Sequence, residues 1–267
     1  MARLVEPFQY QFFVHGLAVA LIVGCLCGLL GVYIVLRKMS YIGHGLSHAM
    51  FGGAVASFFL HVNFYIGAGL WGVLSVLVID RIATRRELNA DAAIGIITTA
   101  SFAVGVALMS RMHRFTQDFE AALFGNVLGV SETDLWVIGL VALVAGLGLA
   151  FFYKPLLFST FDEEVAQVSG VPIDRMRVFF SCVLALSVLA SIKVLGVTLI
   201  SAVLVIPAAT ARLLTKNFAV MIALSTALGG VTALLGMYLS YYLNIASGAS
   251  IVLLATAVFL TVLGVRR

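Results

Sequence analysis

The chain has 267 residues, of which 62% are hydrophobic and only 10% are charged, and its mean hydropathy is +1.13. Soluble domains carry about 25% charged residues because their surface meets water, so this composition excludes a water-soluble domain of this size. The formal net charge of +4 does not indicate nucleic-acid binding, because the basic residues lie between apolar segments and form no stripe. We therefore expect membrane lipid to cover most of the surface.

Apolar segments long enough to cross a bilayer follow one another along the chain. A membrane helix needs about 20 apolar residues, and residues 12–36, for example, contain no Asp, Glu, Lys or Arg. The predicted fold is all-α: a polytopic transmembrane bundle of nine spans, or eight if one short segment is re-entrant. We expect one membrane domain over residues 1–267. The nine predicted spans are 12–36, 43–60, 64–80, 91–110, 134–153, 177–193, 196–213, 218–240 and 248–265.

Basic residues indicate the orientation, because cytoplasmic loops carry an excess of Lys and Arg. They follow the odd-numbered spans, and alternation then puts the N-terminus outside and the C-terminus in the cytoplasm. The exceptions on the outer side are Arg111, Arg114 and Lys193, of which Lys193 is expected to snorkel to the interface. The markers of the cytoplasmic side are Arg37, Lys38, Arg81, Arg85, Arg86, Lys154, Arg175, Arg177, Arg212, Lys216, Arg266 and Arg267.

Small residues indicate where helices approach closely, since lipid offers little hydrophobic drive for helix association. Gly24 and Gly28 form a GxxxG pair in the first span, and Ala142 and Gly146 form a similar pair in the fifth. With 25 glycines in the chain, such pairs also arise by chance, so they carry no functional meaning alone.

A polar segment separates the fifth and sixth spans, at residues 159–175 with the sequence STFDEEVAQVSGVPIDR. Thr160 or Asp162 is suited to cap a short helix, which Gly170 and Pro172 end. Composition leaves two alternatives open for this helix. It is either a passive linker or a surface that docks a soluble motor protein.

The candidate functional residues lie in the second span, within the sequence GHGLSHAM. His44 and His48 are four residues apart, so they share one helix face. Neutral imidazole binds zinc, manganese, iron and copper, and ionisable groups inside a membrane are costly, so we favour a metal or proton role over two structural histidines. Asp91 opens the fourth span, where capping the helix is the main expectation and direct ion binding the alternative.

The motifs of several enzyme classes are missing from the sequence. A zincin needs HExxH, but Gly45 stands where the glutamate would follow His44, and there is no GxSxG motif. There is also no Walker A motif, so the chain is not expected to bind ATP. If ATP drives its activity, hydrolysis belongs to another chain, and this chain is not an enzyme.

Together these motifs resemble the membrane permeases of the zinc/manganese/iron ABC importers, the ABC-3 type, over nearly the whole chain. The resemblance implies a homodimer of permeases in the bacterial cytoplasmic membrane, two ATP-binding cassette subunits and an extracytoplasmic metal-binding protein that delivers the ion. It implies a transported divalent metal ion and no permanently bound cofactor. The matching stretches are 28–37, 43–53, 91–106, 123–131, 160–171, 194–211 and 247–260.

The resemblance also assigns roles to particular residues. The second-span motif of the family usually reads Gly-Asp-x-x-Ser-His, with the Asp and His resembling pathway ligands; here His48 matches the His and His44 replaces the Asp. An imidazole is softer than a carboxylate, which favours zinc or iron over manganese, zinc first. The residues that would couple the permease to the ATPase are Phe161, Asp162, Glu163, Glu164, Val165, Ala166 and Gly170.

Two rival functions stay open. A permease for a metal chelate such as a siderophore or cobalamin would be expected to be longer and to lack a histidine pair. A proton-coupled secondary transporter would use His44 and His48 as a relay and would need no ATPase.

Overall fold

The computed structural model describes residues 6–83, 90–111, 125 and 127–266, and within these ranges the chain forms ten α-helices and no β-strand. The all-α prediction is confirmed. Arg85, Arg86, Arg114 and Arg267 lie outside the described residues, as do positions 123, 124 and 126 of the matching stretch 123–131. The helices are α1 (Gln11–Leu36), α2 (Ile42–Phe59), α3 (Phe64–Ala83), α4 (Ala90–Ser110), α5 (Glu132–Phe151), α6 (Tyr153–Phe161), α7 (Glu163–Val168), α8 (Ile173–Leu214), α9 (Phe218–Leu243) and α10 (Ser247–Val265).

Seven of the described helices are long and apolar enough to cross a membrane, namely α1, α3, α4, α5, α8, α9 and α10. The predicted count of eight or nine spans is therefore not confirmed by helix length and composition. Two elements account for the difference. Helix α2, which carries the two histidines, is not among the seven, and α8 contains two of the predicted spans within its 42 residues.

Helix α8 is interrupted at Gly196, whose φ of 76° and ψ of 162° are not helical. A positive φ of this kind favours glycine, which has no Cβ to clash. A continuous helix of this length would be about 63 Å long. Instead, the ring of Tyr33 lies 5.7 Å from that of Phe180, near the start of α8, and 5.5 Å from that of Phe218, just after its end. The chain therefore turns back at Gly196.

Close packing of α1 against α9 forms one side of the bundle. A Cβ atom on Gly24 would lie 2.5 Å from the carbonyl oxygen of Gly229, so only glycine permits this approach. The Ser225 hydroxyl donates a hydrogen bond of 2.6 Å to the carbonyl oxygen of Gly28. The GxxxG pair of α1 thus lies at a helix contact, whereas Gly146 of α5 has open space beside it within the described part of the chain.

A short helical segment, α6 and α7, lies at one end of the bundle, between α5 and α8. Asp162 is the N-cap of α7, because its Oδ1 accepts a hydrogen bond of 3.0 Å from the Val165 amide. Gly170 follows α7 with a φ of +79°. The predicted short helix is therefore present, with Asp162 as its cap; Thr160 lies in the preceding helix.

Candidate functional site

The two histidines of α2 lie side by side, as their spacing predicts. The ring centroids of His44 and His48 are 4.4 Å apart with an interplanar angle of 78°, and both side chains are half-buried. The His48 ring packs edge-on against Phe102 of α4 at 5.0 Å, and Tyr41 lies 5.3 Å from His44. Two imidazoles so arranged can contribute ligands to one ion, and metal binding by this pair stays a prediction.

Neighbouring helices hold the histidine segment in place. The Ser47 hydroxyl lies 2.8 Å from the carbonyl oxygen of His44 and 2.8 Å from that of Val197, just beyond the break in α8. A Cβ atom on Gly45 would meet Ile94 of α4 at 2.5 Å. The histidine pair is therefore positioned by direct contact of α2 with both α4 and α8.

Asp91 is exposed in the first turn of α4. Among the described residues, no group of three or more His, Cys, Asp and Glu side chains lies close enough together to hold a metal ion. The structure accordingly does not join Asp91 to His44 and His48 in one ligand cluster. A role for Asp91 as an ion ligand stays a prediction.

The residues assigned to coupling lie on an exposed segment. Phe161 and Val165 are 62% and 51% exposed, and the adjoining Val168 is 91% exposed. Ala166 is fully buried and anchors the segment. A cleft of about 880 Å³ runs beside it. The remaining coupling candidates, all exposed, are Asp162, Glu163, Glu164 and Gly170.

Arg37 connects the end of α1 to the end of α6, a contact that the sequence did not indicate. Its Nε donates to the Thr160 hydroxyl and its Nη2 to the Ser159 hydroxyl, both at 3.1 Å. The guanidinium also lies 4.5 Å above the ring of Phe180 in α8. Burial lowers the pKa of Arg37 from its usual value, but an arginine remains protonated in proteins. In the sequence, Arg37 marks the cytoplasmic side and ends a stretch that resembles the family, and neither property indicates this contact.

Arg177 connects three acidic residues at the same end of the bundle. Its Nε lies 3.6 Å from Asp80 of α3, its Nη2 3.3 Å from Glu163 of α7, and its Nη1 3.6 Å from Asp174. In the sequence, Arg177 follows the acidic residues Glu163 and Asp174 of the polar segment. That pattern does not identify Asp80, which is 97 positions away in the chain (177 − 80).

A second polar cluster lies at the opposite end of α3. Lys193 donates a hydrogen bond of 2.6 Å to Asp134, whose side chain is buried, and the Tyr65 hydroxyl donates to the same carboxylate. Ser131 and Asp134 form a capping box at the start of α5. Lys193 was expected to snorkel to the interface, which stays a prediction; the structure adds an ion pair with Asp134 that ties α8 to α5.

These features define the class of the protein: a helical, multi-pass membrane protein with polar clusters at both ends and ionisable side chains between them. The chain belongs to the ABC 3 transport family, which it matches over residues 9–266. The resemblance inferred from its motifs is confirmed.

Relatives match along almost the whole chain. The manganese transport system membrane protein MntC of Halalkalibacterium halodurans is 40% identical over 95% of this chain and 87% of its own length. The chelated iron transport system membrane protein YfeC of Yersinia pestis is 34% identical over 96% and 87%. In the structure of PsaBC from Streptococcus pneumoniae in complex with Fab, one chain is 34% identical and superposes with a TM-score of 0.89, covering 98% of this chain and 94% of its own.

Proposed function

We propose that the chain is the permease subunit of an ATP-binding cassette importer that moves divalent transition-metal ions, zinc, manganese or iron, across the bacterial cytoplasmic membrane. Its membership of the ABC 3 transport family over residues 9–266 carries the proposal. Relatives named for manganese and for chelated-iron transport support a metal ion as the substrate. ATP hydrolysis belongs to a separate subunit, and this chain provides the path.

His44 and His48 are the proposed ligands of the path. Their adjacent rings, half-buried among α2 and α4, support transient binding of one ion. Two ligands hold a divalent ion less firmly than a closed four-ligand site, and an ion in transit has to be released. Water and groups across the bundle are the proposed remaining ligands, with Asp91 as a weaker candidate.

We propose nine membrane crossings, with the N-terminus outside and the C-terminus in the cytoplasm. The reversal of α8 at Gly196 supports two crossings within that helix, and contacts of α2 with α4 and α8 support a crossing by α2. Arg266 donates a hydrogen bond of 2.7 Å to the carbonyl oxygen of Leu214, so the end of α8 and the end of the chain lie together. Basic residues at this end favour the cytoplasmic side.

The coupling segment, residues 159–175, is the proposed contact with the ATP-binding subunit. The apolar side chains of Phe161, Val165 and Val168 are exposed on a segment whose first turn is acidic. These properties suit a partner surface with an apolar groove and basic residues at its edge. A second copy of the chain, and an extracytoplasmic metal-binding protein that delivers the ion, complete the proposed assembly by the family resemblance.

Metal uptake by the assembled complex tests the proposal. The permease and its ATP-binding subunit are reconstituted in liposomes that contain a metal-sensitive dye, with and without ATP. We expect ATP-dependent uptake by the wild type, and a loss of about tenfold or more in His44→Ala and His48→Ala, since loss of a coordinating group removes half of the proposed ligand pair. His61→Ala, which changes an exposed histidine at the end of α2, is the matched control.

The possible results separate the parts of the proposal. Uptake by this chain without an ATP-binding subunit would contradict the importer and favour a proton-coupled transporter. Normal uptake by both histidine variants would remove the ligand pair while leaving the permease in place.

A further inference from the structure

We propose that Arg37 and Arg177 are positioning residues that transmit the displacement of the coupling segment to α1 and α3, and so couple ATP hydrolysis to metal movement. This inference rests on the proposed function. Both arginines bridge the coupling segment to apolar helices through several polar contacts. The family resemblance drawn from the sequence gave neither of them this role.

Arg37 donates hydrogen bonds to two residues that precede α7, the helix within the coupling segment. Ser159 and Thr160 are consecutive, and the planar guanidinium binds both hydroxyls while it packs on the Phe180 ring. Thr160 in turn lies 2.6 Å from the carbonyl oxygen of Leu156 within α6. Since the fork holds two groups in a fixed geometry, the end of α6 cannot rotate without moving the end of α1.

Arg177 joins α7, the helix within the coupling segment, to α3. Each of three guanidinium nitrogens faces a different carboxylate, with Glu163 on α7 and Asp80 on α3. The Arg177 and Asp80 side chains are only 23% and 25% exposed, whereas Glu163 is 59% exposed. Glu163 is thus the end of the bridge that a docking partner reaches, and Asp80 is the end held within the bundle.

Packing continues the connection from α3 to the histidines. The buried side chain of Met50 in α2 fills the space over Gly72 of α3, where a Cβ atom would lie 2.7 Å from the Met50 Cγ. Trp71 of α3 packs over Gly53 of α2 in the same way. A Cβ atom on Gly53 would lie 2.8 Å from the Trp71 Cγ. Close-packed helices transmit displacement because they cannot be compressed. A shift of α3 therefore moves α2, which carries the histidine pair.

The partial exposure of these ion pairs matters for their role. A pair that is exposed at one end, as Arg177 with Glu163 is, adds little to the stability of a fold. The pair of Arg177 with Asp80 is more shielded, and Arg177→Lys keeps a cation beside Asp80. The lysine variant should therefore leave a folded permease, and its defect should lie in the coupling of the two activities. A purely structural role predicts the opposite, because misfolding removes hydrolysis and uptake together.

The test measures the number of metal ions imported per ATP hydrolysed by the complete complex in liposomes. The variants are Arg177→Gln and Arg37→Gln, each also made as lysine, which keeps the charge but loses the fork. Arg212→Gln is the matched control for Arg177, since it is an exposed arginine of the same helix, α8, that lies outside the coupling segment, and Lys38→Gln is the control for Arg37. Assembly with the ATP-binding subunit is checked by co-purification.

We expect Arg177→Gln, Arg37→Gln and both lysine variants to assemble and to hydrolyse ATP, and their ratio of metal to ATP to fall about fivefold, a size typical of residues that modulate coupling. The controls keep the wild-type ratio. An unchanged ratio in the arginine variants, or a proportional loss of assembly, hydrolysis and uptake in both the glutamine and lysine forms, would overturn the inference. ATP-independent uptake by the wild type would instead mean that the proposed function fails.

Discussion

The smallest feature that bears on function is the pair of imidazoles on α2. A spacing of four residues predicts that two side chains share a helix face, and the ring centroids of His44 and His48 are 4.4 Å apart. Their identity bears on metal preference, because the family resemblance drawn from the motifs implies an aspartate where this chain has His44. The effect of His44 on metal preference is best tested by replacing it with aspartate.

His44→Asp is expected to shift preference toward manganese, because a carboxylate is a harder ligand than imidazole. The measurement is competitive uptake of zinc and manganese by the assembled complex. We expect the manganese-to-zinc ratio to rise roughly fivefold, equivalent to about 1 kcal/mol. His61→Asp is the control, since it makes the same change at an exposed site outside the pair. An unchanged ratio in His44→Asp would show that the ligand argument is wrong.

Other residues escaped sequence reasoning because their partners are far away in the chain. Arg37 and Ser159 are 122 positions apart, and Lys193 and Asp134 are 59 apart. A charged residue at a span end marks orientation whether or not it has a partner. Only the fold distinguishes a solvated cation from one that joins two helices.

At the scale of helices, close approach depends on which glycines meet a neighbour. Gly28 of α1 lies against the backbone of Ser225, and Gly229 of α9 lies against Gly24. Gly146 belongs to a similar small-residue pattern but has open space beside it within the described part of the chain. Sequence spacing therefore identifies candidate contacts, and packing decides which of them form.

Gly28→Ala is expected to destabilise the permease by about 1–3 kcal/mol, because the added methyl group overpacks the contact between α1 and α9. Gly146→Ala is the matched control. Since nothing in the described structure opposes its methyl group, alanine should be neutral or stabilise α5 by about 0.5–1 kcal/mol. Thermal unfolding of the detergent-solubilised protein measures both. Equal unfolding temperatures for the two variants would contradict the packing argument.

The reversal within α8 governs the arrangement of the whole molecule. Because Tyr33 contacts both Phe180 and Phe218, the two halves of α8 return the chain to the same end of the bundle. Helix α9 is long and apolar enough to cross a membrane, and a crossing by α9 puts the loops before and after it on opposite sides. The proposed nine crossings assign the first loop to the cytoplasm.

Single-cysteine labelling tests this sidedness. In a background without Cys25, Cys27 and Cys182, we expect Ile245→Cys to react with an impermeant maleimide added to whole cells, because the loop after α9 faces outward. Lys216→Cys should react only after the membrane is opened. Both positions are exposed, so accessibility to solvent is matched. The reverse labelling pattern would contradict nine crossings with the N-terminus outside.

The sequence by itself determined that the chain is an all-helical membrane protein, where its longest apolar segments lie, and which family it resembles. The helical membrane fold follows from local properties, since hydropathy and periodicity act over one helix at a time. The family resemblance rests on the motifs along the chain. It also determined that His44 and His48 are neighbours, because one turn of a helix fixes their distance.

The tertiary structure alone decided which distant groups meet. It paired Lys193 with Asp134, placed Arg177 between Asp80 and Glu163, and turned α8 back at Gly196. The physical reason is that an ion pair or a close helix contact depends on how whole helices pack, and no single segment encodes its partner. The eight residues GHGLSHAM are thus enough to predict that His44 and His48 are neighbours. The proposed connection of this pair to the coupling segment depends on how the helices pack in the folded bundle.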